Sequence, residues 1–164
     1  MAAKKSIIIC GFVGILIIVA LLMGSATQAA EETKTMKFRV SSYLVHLEVL
    51  PVGDVEGHFL GTFSRKGLAF FETGEVATLT NWGTQDLTKG KGIIRGYAMF
   101  TFEDGSTFVP KFEGTVEPAP KGLSLVKGSS IILYGTGRFE GIKGSVTWSG
   151  MVLTPYSKES KADQ

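Results

Sequence analysis

From residue 37 onward the chain alternates apolar and polar positions in short runs, the period-2 signature of half-buried β-strands. No stretch shows the i, i+3, i+4, i+7 apolar repeat of an amphipathic helix. Runs at 37–50, 57–65, 68–71, 75–82, 93–103, 106–117, 123–134 and 145–153 predict about eight strands. Glycine and proline punctuate them, at Pro51-Val52-Gly53, Lys66-Gly67, Thr73-Gly74, Lys89-Gly90-Lys91-Gly92 and Pro118-Ala119-Pro120. Asp104-Gly105 accepts the positive φ angles of a type I′ turn and predicts a two-residue hairpin. Pro110 lacks a ladder donor and predicts a bulge or an edge position. Gly61, Gly96 and Gly114 fall inside strand patterns, where they suit the bends of a small, strongly coiled barrel. Neighbouring antiparallel strands without a long crossover predict an all-β fold. Its expected form is a single small antiparallel eight-stranded β-barrel, with a β-sandwich as the alternative.

The first 29 residues follow a different pattern. Lys4 and Lys5 precede an uncharged apolar stretch over 7–23, and Thr27-Gln28-Ala29 fits a small-x-small cleavage site. This predicts a cleaved signal peptide over 1–29, a barrel domain over 30–156 and a disordered polar tail over 157–164. The expected location is secreted or periplasmic. The alternative is an uncleaved membrane anchor, because the apolar stretch is just short of the ~20 residues that span a bilayer. The chain carries 17 basic and 15 acidic residues, a formal charge of +2. Lys4 and Lys5 belong to the leader, so the remaining domain is neutral and offers no basic footprint for nucleic acid or for a membrane surface. The single cysteine, Cys10, also lies in the leader, which leaves the domain without disulfide, thiol or cysteine-metal chemistry.

Candidate chemistry is sparse. Gly135–Gly144 resembles a phosphate-cradling loop, but its spacing is not a dinucleotide fingerprint and a strand follows it instead of a helix. A barrel-end corner explains it better, with Phe139 as a plug and the flanking Arg138 and Glu140 placed to pair with other residues at the rim. His46 and His58 are the only histidines. They read as two half-exposed strand residues, with a carboxylate-assisted metal site using Glu48 or Glu56 as the alternative; no metal and no cofactor is expected. His46 and Glu48 lie two apart and share parity with Phe38, Val40 and Leu44. If that face is inward, they form an acid/base pair in an apolar cavity; otherwise they are a surface or rim pair. Arg95 and Tyr97 share one face of their strand, opposite the apolar Ile94, Ala98, Phe100 and Phe102. They face solvent in the simplest reading and anchor a ligand in the other. Tyr43, Trp82, Tyr134 and Trp148 are core, rim or ligand platform. Tyr43, Trp82, Arg95, Tyr97 and Tyr134 are therefore the ligand-binding candidates, and His46 and Glu48 the catalytic ones.

The run Gly135-x-Gly-x-Phe139-Glu140-Gly-x-x-Gly144, together with Tyr97, Phe102-Glu103-Asp104-Gly105 and Phe112-Glu113-Gly114, resembles the allene oxide cyclase-like and dirigent-like β-barrel superfamily, including secreted bacterial members. The resemblance implies a barrel whose apolar interior guides ring closure or coupling of reactive small molecules. The catalytic residues of those families lie outside the matching segments, so the resemblance transfers none. The domain also lacks the cavity cysteine of the plant cyclases. The leading expectation is a barrel that binds a hydrophobic or amphipathic small molecule without turning it over. A cofactor-free cyclase or isomerase, and a filled structural or interaction module, stay open, as does a homo-oligomer.

Overall fold

The computed structural model describes residues 35–153. The expected signal peptide and polar tail lie outside the described residues. The described strands belong to a unit that begins at Met36. Its strands are β1 (Phe38–Pro51), β2 (His58–Phe71), β3 (Val76–Thr88), β4 (Lys91–Thr101), β5 (Thr107–Pro118), β6 (Ser124–Thr136) and β7 (Ser145–Val152). They form one antiparallel sheet in the order β1-β2-β3-β4-β5-β6-β7, curled into a half-barrel. The described residues are all-β, and among them two stacked sheets do not form.

Seven strands replace the expected eight because the segments at 57–65 and 68–71 run together as β2. Gly67 does not break the strand; it stays in register opposite Ser42 on one side and Leu79 on the other. A Cβ there would meet the β1 backbone, 2.6 Å from the Ser42 Cα, so glycine permits close strand contact at this point.

The turns also differ from expectation. Phe102 donates its N–H to the Ser106 carbonyl, so the β4–β5 loop holds three residues, Glu103, Asp104 and Gly105. Only Gly105 has positive φ, which makes this a type I turn closed by a left-handed glycine, not a type I′ turn. Asp104 Oδ1 accepts the Ser106 N–H at 2.9 Å. The two-residue turn with both φ angles positive is Lys89-Gly90, between the paired Thr88 and Lys91. Pro110 does sit at a register shift, where Val109 pairs Tyr134 and Pro110 pairs Ile132.

The inner face holds two apolar clusters. One contains Ala69, Phe71, Ala77, Leu79, Ala98, Phe100, Phe102 and Phe108, with Phe38, Ile132, Phe139 and Ile142 packed on it. Phe100 stacks on Phe108 at 4.6 Å, and Phe139 lies 4.8 Å from Phe102. The glycine-rich corner therefore plugs this end as expected. Arg138 spans the plug, pairing with Glu75 at 2.5 Å and with Asp104 at 3.5 Å above the Phe102 and Phe139 rings. The other cluster contains Leu47, Phe63, Leu87, Ile94, Phe112 and Val116, with Trp148 against it.

Glycines let these large side chains lie flat on the sheet. Gly83 and Gly96 pair directly across β3 and β4. A Cβ on Gly83 would come 2.5 Å from Phe63 Cζ, and one on Gly96 would come 2.7 Å from Phe112 Cζ. Gly114 and Gly128 pair across β5 and β6 beneath the Trp148 ring, whose Nε1 donates to Ser130 Oγ at 3.0 Å. Each ring occupies space that a side chain would otherwise fill, so the inside of the curl is occupied by protein.

Candidate functional site

Strand register determines which candidates meet. On the outer face one cross-strand row runs His46, Ser64, Trp82, Tyr97, Lys111, Ile131. The adjacent row runs Glu48, Thr62, Thr84, Arg95, Glu113, Ser129. Four strand spacings separate His46 on β1 from Lys111 on β5, a span of about 19 Å. Trp82 and Tyr97 are direct partners and each is 47% exposed, so two aromatic rings lie side by side in contact with solvent. A groove of about 530 Å³ follows them, bounded by His46, Ser64, Arg95 and Lys111. A neighbouring groove of about 670 Å³ runs past Glu48, Leu50, Leu60, Asp86, Ile93 and Arg95. Arg95 Nε donates to Glu113 at 3.1 Å, which fixes its guanidinium at the rim of both.

The remaining expected residues fall as follows. Tyr43 and Tyr134 are exposed on β1 and β6, outside the lining of both grooves. Trp148 is inside. His46 and Glu48 lie 3.9 Å apart with side chains 56% and 77% exposed, so they do not form an interior acid/base pair. The reason is a bulge: register shifts between Leu44 and His46, leaving Val45 unpaired and reversing parity. Leu44 stays inside and Leu47 takes the next inward place, while His46 and Glu48 turn outward.

His58 has a different environment. Its Nδ1 lies 2.5 Å from Asp54 Oδ1 and its Nε2 lies 2.9 Å from Asp86 Oδ1. Two carboxylates on one ring require protons on both nitrogens. The hydrogen bond to Asp86, then that to Asp54, raises the His58 pKa, and the His58 hydrogen bond lowers that of Asp54. The Ser106 N–H lowers the Asp104 pKa in the same way. Among the described residues no group of three His, Cys, Asp or Glu side chains is placed to hold a metal ion.

Sequence reasoning missed the polar side chains of the inner face. Arg65 shares parity with Phe63, Gly67 and Ala69, and its Nε and Nη2 donate to Ser42 Oγ and O, each at 3.2 Å. Asn81 is its register partner on β3, with a buried Oδ1 that no donor reaches. Gln85 is 2% exposed with neither amide atom partnered. Alternation along β2 carried the signal for Arg65; it lies two residues from Phe63 on the same face.

The fold and this site define a small antiparallel half-barrel with an aromatic groove on its outer face. A scan against protein-family models, a search of curated proteins and a search of solved structures each find no match to this chain.

Proposed function

We propose that this protein is a secreted or periplasmic binding module that holds a hydrophobic or amphipathic small molecule in the outer groove at Trp82 and Tyr97. The observation that carries the reading is the half-exposed Trp82–Tyr97 pair within a groove edged by His46, Ser64, Arg95 and Lys111. An apolar floor with a few polar anchors is the general form of a small-molecule site. Compartment rests on the leader pattern of residues 1–29. Among the described residues no helix is long and apolar enough to cross a membrane.

The two tryptophans give a direct test. Titration with the neutral fluorophore N-phenyl-1-naphthylamine should quench Trp82 emission and brighten the dye. Trp82→Ala should lose that response while Trp148 emission persists. An unaltered dye response in Trp82→Ala, with nothing co-purifying in native mass spectra, would sink the proposal.

A second reading is a structural or interaction module. It is favoured by the filled inner face, where Phe108, Leu87 and Val116 are almost wholly buried, and by the outer edges of β1 and β7, which pair with no further strand among the described residues. A closed eight-stranded barrel would need an additional strand or partner at these edges. The cyclase or isomerase reading rests on the family resemblance alone, and His46 and Glu48 do not supply it with an interior acid/base pair.

A further inference from the structure

The groove at Trp82 and Tyr97 is unevenly charged. Among the described residues its lining includes His46, Arg95 and Lys111 and no carboxylate. Two carboxylates stand in the next cross-strand row, and both are engaged. Glu113 accepts from Arg95 Nε at 3.1 Å, and Glu48 lies 3.9 Å from His46 Nε2. Lys111 is the register partner of Tyr97. Lys66 borders the aromatic pair on the other side: it pairs with Thr80, which shares a strand face with Trp82. Both lysines are exposed, and neither enters an ion pair among the described residues. The domain that follows the leader is neutral as a whole, yet two ammonium groups without carboxylate partners stand beside its exposed rings.

This arrangement decides between two classes of ligand that suit exposed aromatic rings. A cation gains from the negative ring faces, but Lys66 and Lys111 repel it. A planar ring stacks on Trp82 and Tyr97 in an offset manner. An acid group on that ring is repelled by the ring faces, so it projects past the platform. There it meets Lys111, one strand spacing of about 4.8 Å from Tyr97. Lys66, on the diagonal from Trp82 at roughly 7–8 Å, adds to the same field. A lysine ammonium on its flexible four-carbon stem reaches such a group without a fixed geometry.

We propose that the outer groove is selective for anionic aromatic molecules, with a planar ring on Trp82 and Tyr97 and a carboxylate or sulfonate projecting to Lys111. The selectivity rests on the reading of this groove as a small-molecule site and adds the charge of the ligand to it.

Naphthylacetate, naphthylethanol and naphthylethylamine share one ring system and differ in charge. Each is titrated against the indole N–H resonance of Trp82, with that of the inward Trp148 as an internal control. The acid should bind about fivefold tighter than the alcohol, and the amine should bind weakest. In about 1 M salt, where screening acts over ~3 Å, acid and alcohol should converge. Lys111→Gln combined with Lys66→Gln should bring the acid-to-alcohol ratio to about one, because exposed charges act in proportion to their number. Lys111→Arg should retain the preference, and Lys91→Gln, at the start of β4, should leave it unchanged. Equal binding of acid and alcohol by the wild type, or a preference that survives in the double variant, would overturn the anion selectivity and leave the small-molecule groove standing. Tightest binding of the amine would reverse its sign and reject it. A Trp82 resonance that none of the three compounds moves would remove the groove itself.

Discussion

The two faces of this one sheet obey opposite rules. Inside, Phe63, Phe112 and Trp148 lie over glycines so closely that a methyl group has no room. Outside, Trp82 and Tyr97 stand side by side on adjacent strands, each half-exposed to solvent. The same residue types stabilise the fold on one side and are available for recognition on the other. Large aromatics alone do not mark a binding site; a missing cover does.

Perturbing each face separately tests that difference. The largest effect belongs inside: Phe108→Ala, at 1% exposure and stacked on Phe100, should cost about 4 kcal/mol in urea unfolding. Gly96→Ala adds only a methyl group, but it meets the Gly83 Cα at 2.6 Å and the Phe112 ring, so a loss of about 3 kcal/mol is expected in the same assay. A near-neutral Gly96→Ala would mean that the sheet relaxes and that glycine does not set its curl. Arg138→Ala, on the plug, removes two half-exposed ion pairs and two ring contacts; thermal unfolding should show about 1 kcal/mol lost, reduced further by salt.

The His58 clip on the outer side should produce a pH dependence instead of a fixed loss. Its raised pKa means that the folded state holds the proton more tightly than the unfolded chain. Its contribution is complete below the ordinary histidine value of 6.5 and disappears as pH rises through the raised value. Asp54, with its lowered pKa, contributes above its ordinary value of 3.8, and that contribution is lost as pH falls through the lowered one. Urea midpoints from about pH 5 to about pH 9 should decline for the wild type and flatten for His58→Gln; parallel curves would count against the clip. The smallest effect on stability belongs to Trp82→Ala, within about 0.5 kcal/mol, despite its loss of dye binding. A cost like that of Phe108→Ala would show that the outer aromatics are structural after all.

Much of the fold could be read locally. Alternation located each described strand, though it split β2 in two, because period-2 side-chain direction is a property of the extended backbone itself. The corner at Gly135–Gly144, the kink glycines and the Pro110 irregularity were legible because each reflects a local steric constraint. The turn types were not: the two-residue turn expected at Asp104-Gly105 is found at Lys89-Gly90, because loop length is set by the pairing of Phe102 with Ser106 and of Thr88 with Lys91. Parity left His46 and Glu48 either inward or at the surface; one bulged residue, Val45, decides for the surface because it reverses every side chain beyond it.

By itself, the sequence determined an antiparallel all-β chain, the apolar faces of its strands and most of its bends, since these follow from backbone geometry over a few residues. The tertiary structure decided which residues become neighbours. Positions 46, 64, 82, 97 and 111 share a row only because four successive registers align them. Arg65 faces Ser42 and Asn81 for the same reason. Register and curl arise from packing between strands distant in sequence, and the groove and the inner polar contacts arise with them.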